Sequence, residues 1–548
     1  HRYLVEAGIA TPPPRPPHYA FGVDRLSPEQ GGGIQNENKR VALQVQVTLD
    51  VSGRMLLGTD MGAAIATLEA LPIDVIGLNC STGPEHMREP VRVLSERATR
   101  FVSIIPNAGL PLNTGTGEAV YPLEPAPMAE QLAGFVRDFG VRIVGGCCGT
   151  TPEHLAAIVG AVSEVGPRAA GRGPVDDAEP PSARGPRPAA PMVSSAMRAV
   201  TIRQEPAPLL VGERVNAQGS RKVKRLLLAE DYEGIADVAR EQAESGAHVL
   251  DVCVAVTERA DEAEQMAAVV KLLSQTVETP LMIDSTEPAV IARALEHVPG
   301  RAIVNSINME NGRRRIDEVV PLAKRHGAAL VALTIDPVGM AKTAERKLEV
   351  ARAIHDIVVG EYGMRPEDLL FDALTFTLAT GDAEWVDSAH ETIEGIRRIK
   401  TELPGVHTIL GVSNVSFGLA PAARAVLNSV FLHHCVEAGL DAAIVNPAHV
   451  TPYAEISPDE RALADDLVFN RRPDALQRFI ERYEAQGSGA AQQAAEDPTV
   501  GMTPDGAVHW AIVHRKKDGI EERLDRAGVR EDPVRVLNDV LLPAMKEV

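Results

Sequence analysis

Residues 302–335 read AIVNSINMENGRRRIDEVVPLAKRHGAALVALTI. A short β-branched run at 302–307 is followed by apolar residues at helical spacing over 314–327, then by a second apolar run at 329–335. Runs this short, apolar and bounded by turn residues read as strands, and the segment between them reads as a helix. The same beat continues on both sides, with runs at 208–216, 248–255, 280–285, 369–373, 407–413 and 442–446 and a helical segment DEAEQMAAVVKLLSQTV at 261–277. Eight strands alternating with helices predict an α/β fold, a complete (β/α)8 TIM-type barrel over 201–486 whose chemistry collects at the carboxyl ends of the strands.

The preceding segment, 1–165, repeats this alternation with fewer beats: strands near 42–48, 75–79, 101–105 and 141–145, helices near 60–70, 127–139 and 153–164. That pattern predicts an incomplete barrel, about the second half of one, exposing two sheet edges and an unfilled core. The opening 1–38 is Pro- and Gly-heavy and reads as loop, and GGG at 31–33 lacks the Lys of a phosphate loop. Two stretches rich in Pro, Gly, Ala and Ser read as linkers: 166–200, containing VDDAEPPSARGPRPAAP, and 487–500, GSGAAQQAAEDPTV. The last segment, 487–548, is expected to be this linker followed by short helices.

Composition narrows the partners. With 45% hydrophobic and 24% charged residues in 548, the chain is an ordinary folded one. A formal charge of −20 without a basic block argues against nucleic acid and anionic membranes. No apolar run reaches the length of a membrane span, and no signal peptide is evident, so a cytoplasmic location is expected. Five cysteines are too few for a disulfide scaffold.

The residues that close the barrel strands are Glu213 and Asn216, Asp251, Asp284, Asn305, Asp336, Asp372, Asn414 and Asn446. Carboxylates and amides recur there and Lys is absent, so the mouth suits a neutral ligand with several N–H donors. Asp and Asn also favour loops after strands through local backbone bonds, but a whole ring of them points to a binding site. In the first module Cys80 closes VIGLNC, while Cys147 and Cys148 follow VRIVGG. Three thiolates from two strand ends supply three of the four tetrahedral positions of Zn²⁺ and leave one open. The bland alternative is three buried thiols, yet the glycines of GGCCG allow a close backbone approach that burial alone does not need. Cys253 and Cys435 are expected in the core. His433 and His434, adjacent on a helix, lack the i, i+4 spacing of a helical metal pair and are expected to pack.

These motifs resemble the cobalamin-dependent methionine synthase family over nearly the whole chain. GLNCSTGP (77–84), PNAGLP (106–111) and GGCCGTTPEH (145–154) are similar to that family's homocysteine module. GERVNAQGSRK (212–222), MIDST (282–286), IVNSIN (303–308), LLFDAL (369–374) and GVSNVSFGL (411–419) are similar to its pterin barrel. Residues 501–548, ending VLNDVLLPAMKEV, look like the opening helices of the cap before its cobalamin-binding domain. The family's first half of the homocysteine barrel has no counterpart here, nor do its corrinoid and reactivation domains, so the chain is expected to be a fragment or a shortened gene product.

The resemblance implies methyl transfer from 5-methyltetrahydrofolate to cob(I)alamin, and from methylcobalamin to zinc-activated homocysteine. Cobalamin would come from a domain or protein outside the chain. Cys80, Cys147 and Cys148 would bind Zn²⁺, with Asn107 as an O or N donor in the open position before homocysteine arrives. Asp284, Asn305 and Asp372 would hold the pterin, with Glu213 and Ser416 nearby and Arg424 toward the ligand's distal anionic part. Asn414 would stand beside N5 of the pterin. Because no residue at the mouth is an obvious strong acid, positioning and polarisation are expected to carry the methyl transfer. Two alternatives keep only the second barrel: a pterin-dependent corrinoid-protein methyltransferase, and a non-catalytic folate-binding fragment. A condensing enzyme like dihydropteroate synthase would leave the cysteines without a role.

Overall fold

The computed structural model describes residues 41–113, 119–165, 191–487, 499, 501–513 and 519–547. The opening 1–38, most of 166–200 and most of 487–500 lie outside the described residues.

In the first module the strands β1 (Gln44–Val47), β2 (Val75–Asn79), β3 (Phe101–Ile105) and β4 (Ile143–Val144) pair in parallel, in chain order. Their period-2 alternation sends Ile76, Leu78 and Ile104 to one face, where they share a core with Ile65, Val91, Leu94, Met128 and Leu132 of the connecting helices. Those helices are Met61–Leu68, Pro84–Arg97, Pro125–Phe139 and Pro152–Val165. The first is capped by Asp60, whose carboxylate accepts from Ala63 N at 2.7 Å. The expected helices near 60–70, 127–139 and 153–164 are present, and Pro84–Arg97 is an addition. Its many charges hide the period of Met87, Val91 and Leu94, and Pro90 reads as a breaker.

The second module is the expected closed barrel. Its strands are β5 (Leu209–Gly212), β6 (Val249–Val252), β7 (Leu281–Asp284), β8 (Ile303–Ile307), β9 (Ala329–Leu333), β10 (Leu369–Asp372), β11 (His407–Gly411) and β12 (Ala442–Val445). Each pairs in parallel with the next, and β12 closes onto β5 from Ala442↔Leu209 to Val445↔Gly212. Leu209, Val249, Met282, Ile303, Ala329, Val331, Leu370 and Ile409 fill the lumen at its amino end, so this half is packed core. Val193 and Ile202 join that layer. Val193 belongs to a short antiparallel ribbon, Met192–Ser194 with Ala199–Thr201, which takes up the last part of the stretch read as linker and plugs the barrel floor. Arg301 locks the plug. Nearly fully buried, it donates to Met192 O and Gly327 O, each at 2.7 Å, and to Asp368 at 2.5 Å.

One strand ends earlier than its apolar run. β9 stops at Leu333, where the Thr334 amide and hydroxyl both donate to the Asp372 carbonyl at 3.1 Å. Ile335–Asp336 then turns into a two-residue ribbon with Gly339–Met340. Asp336 therefore leaves the ring of strand ends and pairs with Arg346. Farther on, the helices Pro504–Val513 and Ile520–Arg526 and the segment from Pro533 onward share a small core of Val508, Ala527, Val536 and Val540. Among the described residues no helix is long and apolar enough to cross a membrane.

Candidate functional site

Two clusters stand at strand ends. In the first, Cys80 follows β2 directly and Cys147 and Cys148 lie three and four residues past β4. Backbone bonds draw the two turns together. Cys80 N donates to Ile105 O (3.0 Å), Cys147 N to Pro106 O (2.7 Å) and Ala108 N to Cys148 O (2.9 Å). Cys80 and Ser81 both sit at φ 61, a costly left-handed conformation for residues with a side chain, of the kind that persists at functional sites. Two glycines make the second turn possible: a Cβ on Gly146 would fall 2.2 Å from Thr150 Cγ2, and one on Gly149, at φ +78, 2.3 Å from Tyr121.

The result brings Cys80 Sγ to 3.6 Å and Cys147 Sγ to 3.9 Å from Cys148 Sγ, with all three sulfurs within 4.8 Å of one another. Zinc–sulfur bonds of about 2.3 Å in a tetrahedron separate sulfurs by about 3.8 Å, so the donor set fits zinc as it stands. Burial, and hydrogen bonds from Cys147 to its two neighbours, push the Cys147 thiol up to about 11. Three thiolates this close need a cation among them. Asn107, read as a possible metal donor, is buried and braces both turns: its N–H donates to Thr82 O at 3.0 Å, and its Oδ1 accepts from Cys148 N at 3.1 Å.

The second cluster is the barrel mouth. Asn216, four residues beyond β5, donates through Nδ2 to Asp251 Oδ2 at 2.8 Å and to Asp284 Oδ2 at 3.1 Å. Asn305 lies beside Asp284 in the β7–β8 register, where β8 shifts between Val304 and Ile307. Asp372 ends β10 and accepts through Oδ1 from Leu374 N at 2.7 Å. Burial pushes Asp284 and Asp372 up to about 6. Asp251, fully enclosed, is held well above the ordinary carboxylate range by burial first and by the charge of Asp284 second. Its Oδ1 has no partner among the described residues.

The remaining expected residues form a brace. Ser413 Oγ donates to both Glu213 oxygens, at 2.9 and 3.1 Å, and Arg424 reaches Ser413 O at 3.3 Å and Ser416 Oγ at 3.2 Å. Ser416 in turn donates to Asn428 Oδ1 at 2.7 Å. Glu213, Ser416 and Arg424 thus fix the turn Val412–Ser416, which presents Asn414 exposed at the mouth. Asn414 makes no side-chain hydrogen bond among the described residues and caps no helix. Cys253 and Cys435 are buried in the core, as expected. His434 bonds Asp465 at 2.8 Å and His433 stacks on Tyr453.

Two cations escaped the sequence reading. Arg315 donates to the carbonyls of Ser285 (2.7 Å), Thr286 and Ser306 (3.0 Å), clamping the loops that carry Asp284 and Asn305. Lys347 lies buried behind Asp372, so lysine is missing only from the strand ends themselves.

Comparison with known proteins bears on both clusters. Residues 29–162 match the family model described as homocysteine S-methyltransferase, and residues 212–446 match that described as pterin binding enzyme. The chain is 41% identical over 517 residues to the methionine synthase of Mycobacterium leprae (strain TN), covering 93% of this chain and 42% of that protein. It is 41% identical over 516 residues to the methionine synthase of Mycobacterium tuberculosis (strain ATCC 25618 / H37Rv), with the same coverage. The chain therefore spans less than half the length of these curated relatives. A solved Xanthomonas albilineans dihydropteroate synthase is 18% identical, covering 47% of this chain and 94% of that one at a TM-score of 0.34. The resemblance read from the motifs thus extends across most of the chain.

Proposed function

We propose that this relative of the methionine synthases moves a methyl group from 5-methyltetrahydrofolate to cobalamin at its barrel mouth, and from methylcobalamin to homocysteine at its thiol cluster. The observation that carries the reading is the presence, in one chain, of a zinc-sized thiol triad and a separate ring of carboxylates and amides at the barrel strand ends, with Asp251 and Asp372 buried.

At the first site Cys80, Cys147 and Cys148 would hold zinc, whose Lewis acidity ionises a fourth thiol at neutral pH. Asn107 keeps the two cysteine turns at their spacing, so the sulfurs need no rearrangement when substrate arrives. At the second site the carboxylates of Asp284 and Asp372 accept N–H donors from the pyrimidine edge of the pterin, and Asn305 offers an amide beside them. The leaving nitrogen, N5, is a poor leaving group until it gains a proton or a strong hydrogen bond. Asn414, with an uncommitted amide, can accept from or donate to N5 and so follow the proton through the step. Asp251 adds a carboxyl group at the mouth whose protonated form is favoured by burial and by the charge of Asp284. Cobalamin supplies the methyl acceptor when a cobalamin-binding domain or protein presents it there.

The test measures zinc content and both half-reactions with added cobalamin. Cys147→Ala is expected to lose zinc and transfer to homocysteine while keeping transfer from folate, and Asp372→Ala the reverse. Loss of both half-reactions in either folded variant would refute the two-site assignment.

A further inference from the structure

Lys347 is a fully buried ammonium that the chemistry above leaves unused. It projects from the helix Ala344–His355, and its Nζ donates to the carbonyls of Ala373 and, at 3.3 Å, Leu374. Its stem runs against the helix Ser388–Glu402, where a Cβ on Gly395 would lie 2.7 Å from Lys347 Cδ. Its Nζ lies 5.2 Å from the Phe376 ring centroid. The turn it grips is strained: Leu374 sits at φ 60. The amide of that residue donates to Asp372 Oδ1 at 2.7 Å, and its carbonyl also accepts from Thr392 Oγ1 at 2.8 Å.

We propose that Lys347 is a positioning residue for Asp372: it holds the Ala373–Leu374 turn whose amide fixes that carboxylate, and its buried charge keeps the carboxylate ionised. A packing role alone would be met by an apolar side chain, since an enclosed ammonium is costly unless anions face it. The anions facing Lys347 are Asp372, on β10, and Glu391, on Ser388–Glu402. Glu391 already accepts from Ala344 N at 2.5 Å, and on the neighbouring ribbon Asp336 is paired with Arg346. From the β11 side the Gly411 backbone faces Asp372. Burial pushes Asp372 up to about 6 and Lys347 down to about 8, and each charge opposes the other's shift, so both are ionised between those values.

The inference deepens the pterin-site reading, and the first of its two measurements rests on that reading. Binding of 5-methyltetrahydrofolate is followed from pH 5 to 8.5 with the full chain, its Lys347→Met and Lys347→Gln variants, and Thr392→Val. In both Lys347 variants the pH at which binding is half lost on acidification is expected to rise by about one unit, a tenfold change in the ionisation constant. Thr392→Val, which frees the same turn without removing a charge, is expected to weaken binding a few-fold at every pH and leave that midpoint in place. A wild-type midpoint in the Lys347 variants overturns the proposal. The second measurement needs no folate: a double-mutant cycle of Lys347→Met with Asp372→Asn in urea stability at pH 5 and pH 7. Lys347→Met is expected to destabilise more at pH 7 than at pH 5, and Asp372→Asn to abolish that difference; equal losses at both pH values overturn the proposal. Lys347→Gln carries both measurements if the Met variant does not fold. A wild-type chain that binds no folate would sink the pterin reading alone, and the cycle would still decide the role of Lys347.

Discussion

Acidification is expected to empty the barrel mouth of folate before it unfolds the barrel. Asp284 and Asp372, both pushed up to about 6 by burial, accept N–H donors through both oxygens and with charge-assisted strength only as carboxylates; protonation turns one oxygen into a donor. One pH unit below that value each is roughly tenfold depleted in its ionised form. Binding that needs both should therefore weaken about 100-fold between pH 7 and pH 5, or about 2.7 kcal/mol. The sign of the stability linkage runs the other way. A carboxyl whose folded pKa is raised binds more protons folded than unfolded. The two groups therefore stabilise the free protein most below about pH 4 and lose that contribution as pH rises toward 6. Loss of affinity at pH 5 accordingly cannot come from these groups unfolding the barrel. Calorimetric titration with 5-methyltetrahydrofolate at half-unit intervals, with melting curves on the free protein and the ligand's own protonation subtracted, measures both effects. Asp284→Asn should reduce the acid-limb slope from two protons to one. Affinity that stays flat from pH 7 to pH 5 in folded protein would show that these carboxylates do not hold the ligand.

Other sites give separate expectations. Cys147→Ala should reduce bound zinc, measured by atomic absorption, from one equivalent to a small fraction; full retention would remove the thiol cluster from the metal site. Asn414→Ala should slow single-turnover methyl transfer to free cob(I)alamin by about 10- to 100-fold while changing folate affinity and melting temperature little, because its side-chain amide makes no hydrogen bond among the described residues. Arg301→Met should cost about 2–4 kcal/mol in urea unfolding, since it takes the side-chain donor from the carbonyls of Met192 and Gly327 and leaves Arg365 as the remaining ionic partner of the buried Asp368 carboxylate; a loss below about 1 kcal/mol would deny the floor clamp its role.

The barrel was legible because each strand is a short apolar run with its own turn residues, and eight such runs admit few arrangements. Strand ends were read well wherever the run and the ladder stop together, as at Asp284 and Asp372. Asp336 was misplaced because Ile335 continues the apolar pattern, whereas the Thr334 bonds to the Asp372 carbonyl divert the chain two residues earlier. Lys347 had a signal that went unused: it falls on the stripe of Ala344, Leu348, Ala351 and Ile354, where a solvated lysine would not be placed. Arg315 had none, because the carbonyls it clamps come from two other strands and leave no local trace. The cysteine spacing implied proximity of two turns; the sulfur separations came only from folding them against Asn107.

The barrel divides its two ends by what they cost. At the floor the lumen holds aliphatic side chains, and the charged Arg301 has a partner for each nitrogen that reaches inward. At the mouth Asp251 and Asp372 are buried and Asp284 half-buried, with few donors, and Asn216 serves two of them. All three are shifted in the direction that marks an unfavourable charged form. Replacing such groups by apolar ones of like volume is often neutral or stabilising, so folding does not account for their presence. Under the proposed reading a ligand that brings its own N–H donors accounts for it, because those donors would bond the carboxylates and lower the shifts. Under the proposed reading the acids closest to the chemistry would thus be the ones the protein solvates least, and the cations behind the strand ends, Arg315 and Lys347, would steady them from outside the ligand's path.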